Sequence, residues 1–385
     1  MKIAFVSSVL AYPWGGADAL WTRTAEAAIQ RGDSLWLGLS PLTAQHVRIQ
    51  QLQRRGAQLE RRTTHAFAPT KSAGLRIALR QLLGHPSFLT KLRRFSPDVL
   101  VLCQGGTFDF LVESQLVAWL IDSGTPYVVI CQANAEHTSV GAQHRDAAIR
   151  FFAAARSVVF VSQQNWRLAE RQLGVDLANA KVIQNPIAPL PAPLPWPSEK
   201  LWRFAAVGRL ESADKGYDVL LPALAAALGS EPAWTLEFFG QGSDTQYLER
   251  LGQKCGVADR VAFRGFSTDI ASVWRERHLL LLPSRIEGCS LAMMEAMCLG
   301  RPVLATDVGG VSEWIEDGVT GFVCAAAQQA CLEKTLRYAW LQRTRWQQMG
   351  VLAGERAARL LDPAPELTLL QLISRADMLR RHRIA

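Results

Sequence analysis

Short apolar runs alternate with amphipathic stretches along most of the chain, and this alternation constrains the fold more than any other feature. A parallel strand is buried on both faces and is therefore a nearly continuous apolar run, whereas the helix that follows it is amphipathic. The alternation predicts an α/β chain with doubly wound parallel sheets. The predicted strands are residues 2–7, 98–103, 127–131, 157–161 and 181–183, then 203–207, 235–239, 260–263, 279–282 and 302–306.

A proline-rich segment, residues 186–197, separates the two series of runs. Its six prolines and its lack of helical periodicity indicate a stiff linker. A chain of 385 residues also exceeds what one hydrophobic core usually holds. We therefore expect two Rossmann-like domains, residues 1–185 and 198–365, that face each other across a ligand-binding cleft. The final amphipathic segment, residues 366–385, is expected to pack back on the first domain.

The composition is that of a globular protein, with 49% hydrophobic and 20% charged residues. No apolar stretch approaches the roughly 20 residues that cross a bilayer, and the N-terminal segment resembles a first strand more than a signal peptide, so we expect a cytoplasmic protein. The seven cysteines and seven histidines lack metal-ligand spacing, and no Asp-x-Asp triplet occurs. Neither a metal nor a cofactor is expected.

Positive charge is concentrated in one segment, Arg48 to Arg94, which contains eleven Lys or Arg and a single acid, Glu60. The formal net charge of the whole chain is +8, so the remainder is slightly acidic. The segment is either a solvated basic face or a surface that attracts anionic lipid headgroups or an anionic acceptor. The second reading implies peripheral attachment to the inner face of the cytoplasmic membrane. Nucleic acid is not expected as a partner, because no reader motif accompanies the charge.

The strongest chemical signal lies in residues 279–303. An apolar strand stops at Pro283, and a loop containing Glu287 precedes a helix whose apolar positions include Leu291, Met294 and Met297. At a helix start the backbone N–H groups lack partners and the helix dipole favours an anion, so a diphosphate fits there. The expected donors are the N–H groups of Gly288, Cys289, Ser290 and Leu291.

A second carboxylate, Glu295, lies eight residues after Glu287. On a helix this spacing corresponds to about 12 Å, at about 1.5 Å per residue. That separation suits one carboxylate on the hydroxyls of a sugar and the other on a ribose. The alternative is that Glu287 is an N-terminal helix charge and Glu295 a surface residue.

A second segment, residues 204–218, places a strand, a glycine turn and two cations, Arg209 and Lys215, in succession. Two cations above an anion site would neutralise the charge that develops on a departing diphosphate, which is electrostatic stabilisation of a transition state. The alternative is a pair of solvated basic residues.

With these two segments, the chain resembles the retaining glycosyltransferases of family 4, which have the GT-B fold and belong to glycosyl transferases group 1. The resemblance extends through nearly the whole chain and includes residues 158–164, 182–187, 239–242, 264–267 and 307–321. It implies that Glu287 binds hydroxyls of the donor sugar and that Glu295 binds the ribose. It also implies that Arg209 and Lys215 bind the diphosphate.

The resemblance implies further contacts with the donor. It puts His137 near the reacting sugar, the backbone near Phe266 against the base, and the Gly15–Gly16 loop close to the phosphates. At Gln104 the chain departs from the family pattern, because many relatives have His there. The other donor-binding residues implied are Gly208, Gly240, Gly242, Gly288, Cys289, Ser290 and Leu291.

We therefore expect metal-independent transfer of a sugar, with retention of configuration, from a UDP- or GDP-linked donor to a hydroxyl of a polysaccharide, lipopolysaccharide or glycolipid. By the resemblance, the leaving diphosphate accepts the proton of the acceptor on the same face of the sugar. Two alternatives remain open: a nucleotide-sugar 2-epimerase of the same fold and a non-catalytic nucleotide-sugar sensor. An epimerised sugar formed without acceptor would identify the first, and donor binding without hydrolysis or transfer the second.

Overall fold

The computed structural model describes residues 1–9, 14–62, 87–198, 200–231 and 233–384. The chain forms two compact units, and each is described by itself. The first unit contains residues 1–161, 165–186 and 363–385, and the second contains residues 162–164 and 187–362.

A parallel sheet forms the centre of the first unit. Within the described residues its strands are β1 (Lys2–Ser7), β2 (Ser34–Leu39), β3 (Gln58–Arg61), β4 (Val99–Gly106), β5 (Tyr127–Ala133), β6 (Ser157–Phe160) and β7 (Ala180–Val182). Their order is β3-β2-β1-β4-β5-β6-β7, with all neighbours parallel. This is a doubly wound order, in which the winding direction changes between β1 and β4.

Helices cover both faces of this sheet, because successive side chains of a strand point to opposite sides. Ile3 and Phe5 of β1 pack in one apolar cluster, and Ala4 and Val6 pack in another. The helices found in the described part of this unit are α1 (Ala19–Gln30), α2 (Val47–Arg54), α3 (Phe88–Phe95), α4 (Ser114–Ser123), α5 (Ala142–Ala154) and α6 (Gln163–Leu173). The first two residues of α6 belong to the second unit.

The six described strands of the second sheet have the order of the first six strands of the first sheet, without a counterpart of β7. The strands of the second sheet are β8 (Trp202–Val207), β9 (Trp234–Phe239), β10 (Val261–Gly265), β11 (Leu279–Leu282), β12 (Val303–Thr306) and β13 (Gly321–Cys324). They are ordered β10-β9-β8-β11-β12-β13 and are all parallel. The change in winding direction between β8 and β11 corresponds to that between β1 and β4.

The helices described in the second unit follow its strands along the chain. They are α7 (Ser212–Lys215), α8 (Tyr217–Leu228), α9 (Thr245–Lys254), α10 (Ile270–Arg275), α11 (Leu291–Cys298), α12 (Val311–Trp314), α13 (Gln329–Leu341) and α14 (Trp346–Leu360).

The last helix, α15 (Pro365–Ile384), lies in the first unit and packs against α1. Its residues Leu369 and Ile373 are fully buried in the same apolar cluster as Trp21 of α1. Arg31 also donates a hydrogen bond to the hydroxyl of Ser374, at 2.8 Å. The end of the chain is therefore held on the first sheet by both apolar and polar contacts.

The predicted doubly wound parallel sheets are confirmed, and every predicted apolar run contains a strand. Three strands, β2, β3 and β13, were not predicted from the sequence. The edge strand β3 is the four-residue segment Gln-Leu-Glu-Arg, which has too few apolar residues to predict a buried strand. β13 is equally short, and its place in the sheet depends on pairing with β12.

The proline-rich segment, predicted as a linker, lies from residue 187 onwards in the second unit and packs on it. The guanidinium of Arg301 donates to the carbonyl oxygens of Leu194 and Pro195, at 3.2 and 2.8 Å, and lies over the ring of Trp196. Burial lowers the pKa of Arg301 to about 10. The buried cation therefore holds the segment in place instead of leaving it as a free spacer.

The basic segment Arg48–Arg94 is less uniform than the sequence suggests. Arg62 is buried, donates to the carboxylate of Glu113 and stacks over two phenylalanine rings, so it does not belong to a solvated face. Lys91 pairs with Glu60 at 2.9 Å. Lys71, Arg76 and Arg80 lie outside the described residues. None of the helices within the described ranges combines the length and apolarity needed to cross a bilayer.

Candidate functional site

The loops that follow β8 and β9 are held together by glycines. Gly208 directly follows β8 and has a φ of 154°, and a Cβ on Gly240 would lie 1.8 Å from the carbonyl oxygen of Gly208. A Cβ on Gly242 would lie 2.3 Å from the carbonyl oxygen of Leu210. Side chains at these glycines would push the two loops apart, because no Cβ fits at such distances. The predicted glycines thus shape the backbone on which Arg209 is presented.

An ion pair joins the two predicted motifs. The Nζ atom of Lys215 lies 2.5 Å from Oε1 of Glu287, and both side chains are largely buried. The same carboxylate oxygen accepts a hydrogen bond from the hydroxyl of Ser284, at 2.8 Å. Ser284 is itself fully buried, and its carbonyl oxygen accepts from the hydroxyl of Thr306. The carboxylate is therefore held in one orientation by partners from two loops.

A glycine allows the Lys215 loop to approach the end of β11 this closely. Gly216 has a φ of 66°, a conformation that residues with side chains rarely adopt. A Cβ at this position would lie 2.0 Å from the carbonyl oxygen of Pro283. A glycine directly after Lys215 is therefore required, because a side chain at this position would keep Lys215 away from the Glu287 loop.

A second pair of charges, which the sequence analysis missed, fastens the same two loops. Arg285 forms a bidentate ion pair with Asp218, at 2.7 and 2.8 Å. The backbone N–H of Arg285 also donates to the carbonyl oxygen of Asp214, at 2.7 Å. Asp218 lies in the motif of residues 204–218 and Arg285 in the motif of residues 279–303. Their opposite charges could have predicted the pair, because the two motifs were expected to form one site.

Arg209 lies on the partly exposed side of this arrangement. Its Nη2 is 3.1 Å from Oδ2 of Asp214, and about a third of each side chain is exposed. Tyr217, also missed, is fully buried, and its hydroxyl would be 3.2 Å from a Cβ on Gly208. Among the described residues this hydroxyl has no hydrogen-bond partner, and burial raises its pKa.

Four predicted N–H donors lie between Glu287 and the start of α11. Ser290 is the N-cap of this helix, and its hydroxyl accepts from the N–H of Met293 at 3.4 Å. No hydrogen bond found among the described residues uses the N–H of Gly288, Cys289, Ser290 or Leu291 as its donor. The carbonyl oxygen of Gly288 accepts from the N–H of Gly310, at 2.7 Å, which fixes this loop against the start of α12.

The predicted helical spacing between the two glutamates is wrong. The helix begins at Leu291, because Ser290 caps it, and Glu287 lies in the preceding loop. The estimate along a helix axis therefore does not apply to the pair. Glu295 lies in α11, and burial raises the pKa of its carboxyl to about 7. The Cys289 thiol is buried, and burial raises its pKa; its Sγ lies 3.7 Å from Sδ of Met294.

Phe266 follows β10 and is the most exposed aromatic residue near these loops, with 72% of its side chain accessible. The preceding Gly265 has a φ of 72°, and its carbonyl oxygen accepts from the N–H of Gly240 at 2.9 Å. The loop is therefore tied to the glycine loop after β9, and the aromatic ring points away from the core.

The remaining predicted site residues belong to the first unit. The N–H of Gly15 donates to Oδ2 of Asp18 at 3.0 Å, so this glycine already has an internal acceptor, and Gly16 begins the short 3₁₀ turn that leads to Asp18. Asp18 is fully buried, also accepts from the indole of Trp21, and has its pKa raised by burial to about 6. His137 is exposed in the turn after β5.

A second carboxylate organises the loop after β4. Oδ2 of Asp109 accepts from the hydroxyl of Ser8 and from the N–H groups of Gly105 and Gly106, at 2.8, 3.1 and 2.9 Å. Gln104 is buried and bonds to the backbone of the following turn through both ends of its amide. The residue that departs from the family pattern is thus part of the loop framework.

Three comparisons relate this geometry to known proteins. A family model described as glycosyl transferases group 1 matches residues 203–339. The lipopolysaccharide core biosynthesis mannosyltransferase LpsB of Rhizobium meliloti is 37% identical over 120 residues, which are 29% of this chain and 34% of that protein. The D-inositol 3-phosphate glycosyltransferase of Nocardia farcinica is 33% identical over 171 residues, or 42% and 37% of the two chains. The matches thus span little more than a third of these relatives.

Similarity of fold extends much further. The crystal structure of HepE from Anabaena in complex with UDP matches with a TM-score of 0.68 and covers 97% of this chain and 99% of that chain, at 20% identity. Residues 203–339, which contain the Lys215–Glu287 pair, therefore form a glycosyl transferases group 1 domain, in a chain that has the GT-B fold.

Proposed function

We propose that this protein is a retaining glycosyltransferase that uses a UDP- or GDP-sugar and needs no metal ion. The observation that carries the proposal is the ion pair of Lys215 and Glu287, at 2.5 Å, beside the start of α11. A cation, an oriented carboxylate and backbone N–H groups therefore lie together after the carboxyl ends of β8 and β11, where the winding direction of the sheet changes. Doubly wound sheets bind their ligands there.

The donor binds by exchanging partners with this pair. The diphosphate takes Lys215 and Arg209 together with the N–H groups at the start of α11. Glu287, released from part of its interaction with Lys215, accepts hydrogen bonds from hydroxyls of the sugar, and Glu295 accepts them from the ribose. Its raised pKa means that Glu295 becomes a full anion only above about pH 7, so ribose binding is expected to tighten there.

Transfer breaks the bond between the anomeric carbon and the diphosphate oxygen and forms a bond from that carbon to the acceptor oxygen on the same face. The electron pair of the broken bond stays on the diphosphate, which also accepts the proton of the acceptor hydroxyl. Lys215, Arg209 and the helix start stabilise the negative charge as it develops. These groups would do the work that a divalent cation does in other transferases. His137, Gly15 and Gly16 remain predictions from the resemblance.

The acceptor is a hydroxyl of a growing polysaccharide, lipopolysaccharide or glycolipid. The similarity of part of this chain to a lipopolysaccharide core mannosyltransferase supports this class. Acceptors of this kind are made at membranes, and the basic residues between Arg48 and Arg94 would attract an anionic surface on the cytoplasmic side. Binding to anionic vesicles that weakens with salt would support this part of the proposal.

The test is a screen of UDP- and GDP-sugars by thermal stabilisation, followed by assays of donor hydrolysis and transfer. Glu287→Gln should keep the hydrogen bond from Ser284 but lower turnover about 10²-fold, because the charge on the sugar-binding carboxylate is lost. Glu249→Gln, an exposed acid in α9 of the same unit, serves as the matched control and should turn over normally.

Three results would contradict the proposal. Near-normal turnover in Glu287→Gln would remove Glu287 from the site. An epimerised nucleotide sugar formed without acceptor would indicate an epimerase instead. Donor binding without any hydrolysis or transfer, across all acceptor classes tried, would indicate a sensor.

A further inference from the structure

A cavity of about 390 Å³ lies in the first unit, and none of the predicted donor-binding residues lines it. It is bounded on one side by the strands β6 and β7 and on the other by the C-terminal helix α15. Arg156, which lines it, immediately precedes β6. It therefore lies at the amino end of that strand, whereas Gly15 and His137 follow the carboxyl ends of β1 and β5.

One face of α15 forms a wall of this cavity. The lining residues Thr368, Gln371, Leu372 and Arg375 follow the spacing i, i+3, i+4 and i+7, which places them along a single helical face. The adjacent face, with Leu369 and Ile373, is fully buried against the sheet. The orientation of α15 is thus fixed by its core contacts, and the polar face is held towards the cavity.

Three cations line the cavity: Arg156, Lys181 and Arg375. No hydrogen bond or ion pair found among the described residues involves their charged groups. No acidic residue is among the residues that line the cavity. Elsewhere in the same unit Arg62, Lys91 and Arg171 are each paired with a glutamate. Three like charges around one concave surface repel each other, and an anion between them would remove that repulsion.

The floor of the cavity is apolar. Ile183 and Ala376 are buried there, and Leu372 is partly buried. Val182, in the edge strand β7, is 38% exposed. Thr368 and Gln371 add a hydroxyl and an amide to the rim. A phosphate group on the cations with an apolar group over the floor would satisfy both parts of this surface.

We propose that this cavity is a second anion-binding site, which binds a phosphate group through Arg156, Lys181 and Arg375. The phosphate belongs either to a free phosphorylated compound or to the headgroup of an anionic lipid. This site is independent of the proposed transferase site, because all of its lining residues lie in the first unit and none takes part in donor binding.

The experiment compares two double variants of the full chain with the unaltered protein. Lys181→Gln/Arg375→Gln removes two exposed cations of the cavity without touching the core. Arg150→Gln/Arg167→Gln removes the same charge from two exposed positions of the first unit that do not line the cavity, and it is the matched control. Circular dichroism and thermal unfolding establish that both variants are folded.

Two probes distinguish the sources of phosphate. Inorganic pyrophosphate is titrated by calorimetry, and vesicles of phosphatidylcholine, with and without phosphatidylglycerol, are tested by cosedimentation. We expect the cavity variant to lose at least about tenfold in affinity for one probe, since two charge-assisted contacts are removed, while the control changes little. Loss of pyrophosphate binding identifies a free phosphorylated ligand, and loss confined to phosphatidylglycerol vesicles identifies a lipid headgroup.

The proposal is overturned if the unaltered protein binds neither probe, or if both double variants weaken binding equally. It is also overturned if the cavity variant binds both pyrophosphate and phosphatidylglycerol vesicles as tightly as the unaltered protein, because that binding then belongs to another site.

Discussion

The two sheets of this protein share one strand order over six strands, but the loops at the change in winding direction use charge in opposite ways. After β1 and β4, the carboxylates of Asp18 and Asp109 are buried or partly buried and accept hydrogen bonds from backbone N–H groups of their own loops. After β8, Arg209 and Lys215 carry positive charge. Arg209 pairs with Asp214 of the same segment, and Lys215 pairs with Glu287, which follows β11.

This difference shows that topology creates the position of a site and that side chains decide its ligand. In the first unit the N–H groups at Gly15, Gly105 and Gly106 already have internal acceptors, so these groups bind no further anion unless a carboxylate leaves. In the second unit the cations can exchange a carboxylate for a diphosphate. We therefore expect the second unit to provide the charged groups that bind the diphosphate, and the carboxylates of the first unit to stabilise their own loops.

The largest expected effect is on catalysis, from Lys215→Ala. Removal of a cation that stabilises the leaving diphosphate should lower turnover about 10²- to 10³-fold. Steady-state kinetics with the donor found in the screen would measure this. Lys254→Ala, an exposed lysine at the end of α9, is the control. If both variants turn over at the normal rate, the cations of the second unit are not functionally different from surface charges.

The next largest effect is on the pH dependence of stability, through Asp18. Its pKa is raised from 3.8 to about 6 in the folded protein, so the folded state holds this proton more tightly than the unfolded state. The contribution to stability is fully present below pH 3.8 and is lost as the pH rises through about 6, by roughly 3 kcal/mol. Asp18→Asn should abolish this loss, as measured by urea unfolding across that range.

His278 provides an internal comparison of opposite sign in the second unit. It is fully buried, and burial lowers its pKa from 6.5 to about 4. Its contribution is present above pH 6.5 and is lost as the pH falls through about 4. His278 contributes equally to the unaltered protein and to Asp18→Asn, so its contribution cancels when the two free energies of unfolding are subtracted. A difference that stays constant between pH 4 and pH 7 would contradict the role given to Asp18.

A smaller effect is expected from Asp109→Ala. The variant leaves the hydroxyl of Ser8 and the N–H groups of Gly105 and Gly106 without their shared acceptor, which should lower the free energy of unfolding by about 2 kcal/mol. Asp122→Ala, an exposed acid at the end of α4, should change it little. Equal stability of the two variants would mean that the carboxylate of Asp109 does not organise its loop.

The smallest effect is expected at Phe266. If its exposed ring stacks on the donor base, Phe266→Ala should raise KM for the donor about fivefold and leave kcat nearly unchanged, corresponding to a stacking energy of about 1 kcal/mol. Leu341→Ala, at a residue that is 74% exposed, is the control. An unchanged KM would restrict recognition of the base to the backbone of this loop.

The sequence predicted the strand and helix alternation, both motifs and the glycines that shape them. These features are local, because apolar runs, turn residues and glycine positions act on neighbouring backbone. It missed β3, whose four residues form a strand only because β2 offers them an edge to pair with. It correctly placed Glu287 in the loop before a helix, but the separation of about 12 Å between Glu287 and Glu295 was estimated as if both residues were helical.

The sequence by itself thus determined that the chain forms two doubly wound sheets and which loops carry charge. Only the tertiary structure decided which partners those charges have. Lys215 pairs with Glu287, 72 positions away in the sequence, and Arg285 pairs with Asp218, 67 positions away. Arg62 is buried in the core. The reason is physical. Backbone conformation follows from neighbours in the chain, whereas the partner of a charge depends on which loops the strand order brings to one edge of a sheet.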